Sequence, residues 1–356
     1  MKSQTSVAKV RITKGVRFAK IISWIIGYCI RHRINPACLS RINPDIPLGG
    51  KILMSKSYTY DYFIKDNTAA KKYFVKTIRL PAGMQWPEAK DEFKKLSGRS
   101  DKPIVLKPDR GARSIGVKVT TNDLERIELL RARKKVDYAA QEYIPYKHEL
   151  GLFYYKYPEW KKGKILGIAE KQFRNITGDG KSTLKILLKH ENIPKAVMAQ
   201  LLHQYKTLEY IPKLDEQVML INTADHDNDG DYNDRPDLIT RRLEKTINEI
   251  MRGKKVYFCR FDIRARSFEE FKEGKGFKIL EANIGSGAVL LHAFDQRYSS
   301  KKQLEKYHEG LIHAFNIAER LKNNPRARII PYIWYMLKDE IPLYFLKHRI
   351  NKIKLE

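Results

Sequence analysis

Hydrophobic positions along the chain change period repeatedly. Alternating or continuous apolar runs predict strands at 51–54, 104–107, 116–120, 138–144, 151–157, 164–172, 217–221, 256–264 and 276–281. Apolar residues three and four apart predict helices at 68–78, 122–133, 182–190, 193–202, 236–252 and 301–322. Strands joined by single helices and by hairpins indicate an α+β, enzyme-like body. No internal repeat suggests a solenoid. Breaks fall at Asn43-Pro44, Pro47 to Gly50, Gly83 to Pro87 and Ser97 to Pro103.

The two ends differ from this body. Ile21 to Ile30 is an apolar run about half as long as a membrane span requires, and Arg31, His32 and Arg33 follow it. It lies late for a signal peptide and lacks a small-x-small cleavage site. A helix packed on the body is expected, with attachment to a membrane surface as the alternative. The stretch 329–354 mixes Tyr, Trp and Leu with Lys338, Lys347, Arg349 and Lys352, and docking to the core is expected for it, with an anionic surface as the alternative.

Composition adds one strong constraint. Lysine and arginine number 69 against 41 acidic residues, a formal charge of +28, which calls for a polyanionic neighbour: nucleic acid, an anionic membrane, an acidic substrate or nucleotide phosphates. Residues 1–60 carry eleven of these cations and a single acid, Asp45, so part of the excess belongs to an N-terminal arm. Nucleic acid is not the expected partner, because the basic residues show no interleaved aromatics on paired strands and no recognised binding module. Cys29, Cys38 and Cys259 are too few and too widely spaced for a disulfide framework or zinc site, which fits a reducing, cytoplasmic setting. No feature specifies an oligomeric state.

Two constellations carry candidate chemistry. In the segment Ile104-Val105-Leu106-Lys107-Pro108-Asp109-Arg110-Gly111-Ala112-Arg113-Ser114-Ile115-Gly116-Val117, a strand ends on Lys107 and runs into a basic glycine-containing loop. Such a loop can turn amide N–H groups toward phosphates, or it can be an ordinary hairpin with a solvated tip. The second pairs Tyr257-Phe258-Cys259-Arg260-Phe261-Asp262-Ile263-Arg264 with Phe277-Lys278-Ile279-Leu280-Glu281-Ala282-Asn283. Strand periodicity places Arg260, Asp262 and Arg264 on one face and Glu281 with Asn283 on one face. If the strands pair, Asp262, Glu281 and Asn283 converge as hard oxygen donors suited to Mg²⁺; a salt-bridge ladder with Arg260 is the structural alternative.

Two further segments resemble known loops imperfectly. Asp225-His226-Asp227-Asn228-Asp229-Gly230-Asp231 has the spacing of a calcium loop, but its twelfth position is Pro236, which cannot be a bidentate ligand. Gly178-Asp179-Gly180-Lys181-Ser182-Thr183 ends like a phosphate-binding P-loop, yet Asn175 stands where its first glycine would be.

Taken in order, VLKPDRGARSIGV, QEYIPYKHE, RFDIR and ILEANIGSG resemble the ATP-grasp superfamily, most closely its D-alanine-D-alanine ligase-like, carboxylate-amine ligase branch, across about residues 51–320. The resemblance implies an ATP-grasp fold in which a small lid subdomain (51–141) and a larger subdomain (142–320) grip ATP, between a basic helical arm (1–50) and a C-terminal helical tail (321–356). It implies ATP and Mg²⁺, with Mn²⁺ able to substitute, and small-molecule or peptide carboxylate and amine substrates. By the same resemblance, Lys107 and Lys56 bind phosphates, with Lys65 competing for the second place. Arg113 and Ser114 belong to the phosphate loop; Glu142, Tyr143 and Ile144 hold adenine; and Glu149 binds ribose. Asp262, Glu281 and Asn283 bind the metal, and Arg260 stands beside the reacting phosphoryl group. Arg174 and Lys181 are expected on a loop over the γ-phosphate. The implied reaction is ATP-dependent ligation through an acyl phosphate, with a phosphotransferase as the alternative. One departure is that about fifty basic residues precede Lys51 where the branch usually has a substrate-binding domain.

Overall fold

The computed structural model describes residues 14–46, 50, 54–98, 102–111, 116–132, 135–172, 175–189, 201–202, 205, 207–219, 232–284 and 290–324. Chain contacts divide the protein into two compact units: residues 1–170 with 232–356, and Lys171–Asp231.

The larger unit begins with helix α1 (Lys14–His32). Its end is a reversal in which Arg33 takes a φ of 53° and the amide of Ile34 donates to the carbonyl of Cys29 at 2.9 Å, satisfying a terminal carbonyl. Helix α2 (Lys56–Ile64) starts at Ser55, whose hydroxyl accepts from the amide of Tyr58. Helix α3 (Thr68–Tyr73) is shorter than its pattern suggests. Instead of continuing to 78, the chain leaves the helix at Phe74 and forms strand β1 (Thr77–Leu80). The β-branched residues Val75, Thr77 and Ile78 suit the extended form, and the amide of Val75 donates to the carbonyl of Ile279. Helix α4 (Trp86–Ser97) occupies a segment that reads as a break because of Pro87, although proline is tolerated in a first helical turn.

Four antiparallel strands form one sheet in the order β1-β4-β2-β3, with β2 at Ile104–Pro108, β3 at Lys118–Thr120 and β4 at Tyr138–Glu142. One face, carrying Ile104, Leu106, Tyr138 and Ala140, buries against Phe93 and Leu96 of α4. Alternation puts Lys107 on the other face.

A second sheet has the order β11-β10-β5-β6-β9. Its strands are β5 (His148–Tyr155), β6 (Lys164–Lys171), β9 (Tyr232–Asp234), β10 (Phe258–Ala265) and β11 (Phe277–Ile284). Phe261, Ile263 and Ile279 point into the main core with Phe63, Phe74 and Leu243. Each such fully buried side chain contributes about 1.5–3 kcal/mol. The opposite face of β10 and β11 is left to the polar residues.

The arm is part of this unit. Trp24 of α1 stacks on His308 at 4.2 Å and Tyr28 on Phe315 at 5.1 Å, both on the long helix spanning Ser300–Arg320. Asn43 is wholly buried, accepts from the amides of Tyr257 and Phe258 and donates to the carbonyl of Phe258. Cys29, Cys38 and Cys259 are free and buried. Among the described residues no helix is long and apolar enough to cross a membrane.

The smaller unit contains the antiparallel pair β7 (Asn175–Thr177) and β8 (Gln217–Met219) with the short helix Leu184–Leu188. Ile176, Leu184, Leu188, Leu201 and Val218 form its core. Residues 220–231, including the calcium-loop resemblance, lie outside the described residues, as do most of the helix expected at 193–202 and the stretch 329–354.

Candidate active site

The pairing of β10 with β11 sets Asp262 opposite Glu281 and Arg260 opposite Asn283. On the other side of β10, Asp262 lies opposite Gly151 and Arg264 opposite Glu149. The polar residues therefore form rows across three strands.

Every charge in these rows has a partner. Arg260, almost fully buried, donates to Asp262 through Nε at 2.7 Å and through its terminal nitrogen at 3.1 Å. Asn283 donates its amide to Asp262 Oδ2 at 2.8 Å. Glu281 receives two lysines, Lys56 and Lys107, each with Nζ at 3.7 Å from one of its oxygens. Arg264 pairs with Glu149 at 2.8 Å and donates to the carbonyl of Tyr146.

Both lysines come from outside the strands that carry the carboxylates. Lys107 lies on β2, and burial pushes its ammonium pKa down to about 8; the Lys56 charge adds to this and Glu281 opposes it. Lys56 is the first residue of α2 and donates to the carbonyl of Gly111 at 2.9 Å. Asp109 holds that helix end: its buried carboxylate accepts from the amide and hydroxyl of Ser57, at 2.9 and 2.8 Å, and its carbonyl from the amide of Lys56. A carboxylate at a helix N-terminus also complements the helix dipole. Lys65, the competing lysine, is the C-cap of α2, so the opposite end of the helix delivers the cation to Glu281.

Gln141 is a positioning residue that the sequence pattern did not single out. From β4 it donates to Thr77 Oγ1 at 2.6 Å and to the carbonyl of Leu280 at 2.9 Å, tying the four-stranded sheet to β11 beside Glu281. The available signal is alternation: Tyr138 and Ala140 face the core, which leaves Gln141 on the Lys107 side.

The remaining expected residues are placed as follows. Glu142 ends β4, Tyr143 is exposed and donates its amide to the carbonyl of Pro103, and Ile144 is half-buried in the connection to β5. Lys181 is exposed in the smaller unit, where its amide and that of Ser182 donate to Asp179. This is an aspartate-centred turn before a five-residue helix, unlike a P-loop. Arg113, Ser114 and Arg174 lie outside the described residues.

Among the described residues, no three His, Cys, Asp or Glu side chains gather as a metal site. The candidate set is instead two carboxylates and an amide, whose oxygens suit Mg²⁺. With its nitrogen spent on Asp262, the amide of Asn283 has its oxygen as the donor.

No protein-family model matches the chain. In sequence it is 22% identical over 256 residues to the glutathione biosynthesis bifunctional protein of Clostridium perfringens, covering 64% of this chain and 31% of that protein. Among solved structures it is similar to a bifunctional glutathione synthetase from Pasteurella multocida, with a TM-score of 0.37 and 14% identity over 74% of this chain and 38% of that one. It is also similar to a D-alanine–D-alanine ligase from Bacillus anthracis, with a TM-score of 0.42 and 17% identity over 76% and 68% of the two chains. The chain spans about a third of the length of the two glutathione-forming proteins.

Proposed function

We propose that this chain is an ATP-dependent carboxylate-amine ligase whose phosphoryl-transfer site is the polar face shared by β10, β11, β2 and the start of α2. One observation carries the reading: Lys56, Lys107 and Arg260 converge with Asp262, Glu281 and Asn283 at one place. Three cations there can neutralise a triphosphate, and two carboxylates can hold its counterion.

Asp262, Glu281 and Asn283 would hold magnesium, which when bound supplies charge neutralisation between nucleotide phosphates. Lys107 and Lys56 move from Glu281 to phosphate oxygens. Arg260, buried and in a fixed orientation, supports the phosphoryl group as charge develops on it. Arg113 and Ser114 would complete the phosphate loop. Glu142, Tyr143 and Ile144 would contact adenine. Glu149 would take the ribose hydroxyls, exchanging part of its contact with Arg264.

A substrate carboxylate then attacks the γ-phosphorus, forming an acyl phosphate and releasing ADP. An amine adds to the acyl carbon and expels phosphate, leaving an amide bond. No side-chain nucleophile takes part.

The test is a screen of amino acids and short peptides for stimulated ADP release, with hydroxylamine as the trapping amine. An acyl hydroxamate formed in step with ADP supports ligation. ADP release with a stable phosphorylated product and no hydroxamate would identify a phosphotransferase instead.

A further inference from the structure

Helix α1 has two apolar faces, and the unit covers one of them. Ile21, Trp24, Ile25, Tyr28 and Cys29 lie in the core cluster shared with the helix Ser300–Arg320. The outward side carries Val16, Ile22, Ile26 and Ile30, which are 48%, 38%, 54% and 73% exposed. Ala19, Ser23 and Gly27, also exposed, fill the same strip at the spacing of one helix face and add no charge. A Cβ placed on Gly27 would meet nothing within 4 Å. A helix on a water-facing surface normally turns its polar residues outward.

The border of the strip is basic. Lys20, Arg31, His32 and Arg33 are exposed along it and at its end, and α1 contains no aspartate or glutamate. On the neighbouring helix, Ile312 is 37% exposed and lies one turn from His308, the residue under Trp24. Glu319 is felt at Tyr28, on the inward side of the helix.

We propose that the outward face of α1 docks on an anionic lipid surface, with the helix lying in the headgroup layer. The apolar strip would enter the acyl boundary, and the bordering cations would meet lipid phosphates. At 19 residues, about 28 Å, the helix can lie along the interface, and it is not apolar enough to cross. Charge complementarity selects this occupant: a strip without acids, edged by cations, on a chain of formal charge +28. The proposal is independent of the reaction at β10 and β11.

The test uses the full chain in sedimentation with vesicles of phosphatidylcholine alone and of phosphatidylcholine with phosphatidylglycerol, at low and high salt. Strong partition to the anionic vesicles, weakened by salt, is expected. The triple variant Ile22→Asn, Ile26→Asn, Ile30→Asn should lose about tenfold or more of that partition. Because these side chains face outward, its circular dichroism and unfolding midpoint should stay near the parent's. A second variant, Lys20→Ala with Arg31→Ala and Arg33→Ala, should bind several-fold less and respond less to salt. Equal partition to neutral and anionic vesicles, or unchanged partition of the isoleucine variant, would overturn the proposal. So would a photo-crosslinker at position 26 that, with vesicles present, captures a second copy or residues 325–356 in place of lipid.

Discussion

Asp262 and Glu281 are register partners across β10 and β11, yet each is neutralised from a different direction, Asp262 by Arg260 on its own strand and Glu281 by Lys56 of α2 and Lys107 of β2. A cation entering between them must displace ion pairs that the chain already makes. A triphosphate offers those lysines and that arginine an alternative anion, so nucleotide and metal should favour each other.

That coupling is measurable. Mn²⁺, followed by electron paramagnetic resonance, should bind weakly to the protein alone and at least tenfold more tightly once a non-hydrolysable ATP analogue is present, about 1.4 kcal/mol of coupling. Equal affinities would mean that the carboxylates are already free for the metal.

Asp262→Asn and Glu281→Gln nearly preserve size and remove one negative charge each. Turnover should fall by two or more orders of magnitude, about 2.7 kcal/mol or more, and further than nucleotide affinity falls. Asn283→Ala should be milder, because water can replace a neutral donor. If these residues only balance Arg260, Lys56 and Lys107, unfolding measurements on the same preparations will show lost stability with activity per folded molecule nearly unchanged.

Mg-ATP at a hundredfold excess over its Kd should raise stability by about 2.7 kcal/mol. Lys107→Ala should remove most of the resulting rise in melting temperature, because the buried ammonium is the cation that β2 presents to the site. A folded variant that keeps the full shift would remove Lys107 from the nucleotide site.

His292 gives a prediction about pH. It is buried against Phe153, with its ring over Gly167, and burial pushes its pKa from 6.5 down to about 4. The unfolded chain therefore binds a proton more readily than the native one. This contribution to stability is full above about pH 6.5 and is lost as the pH falls toward 4, by at most about 3 kcal/mol. Urea unfolding at several pH values should show the decline, and His292→Asn should flatten it.

Period-two alternation made the faces of β10 legible, because Phe261 and Ile263 had to be inside and Arg260 and Asp262 therefore outside; on β11 the same rule would put Ile279 and Glu281 on one face, and the irregular pairing separates them. The pattern was silent on the register shift after Asp262, which depends on the pairing itself. Helix α2 was not visible, since its aromatic and polar residues follow no helical stripe, and so Lys56 and Lys65 could not be separated by position. Strand β1 was absorbed into a helix because Thr68–Tyr73 starts one, and the edge of β11 that ends it lies some two hundred residues along the chain. The ion pair between Arg260 and Asp262, which the sequence offered as the alternative to a metal ligand, is present in the structure beside the candidate donors.

Asn43 gives the arm a mechanical meaning. Its side chain meets the backbone of Tyr257 and Phe258 as a neighbouring strand would, immediately ahead of the strand that carries Arg260 and Asp262. Two truncations a few residues apart should therefore differ in kind. A cut before Asn43 strips a cover from the helix Ser300–Arg320, whereas a cut after it unfastens the start of β10, so a force applied to α1 has a short covalent and hydrogen-bonded path to the reacting face.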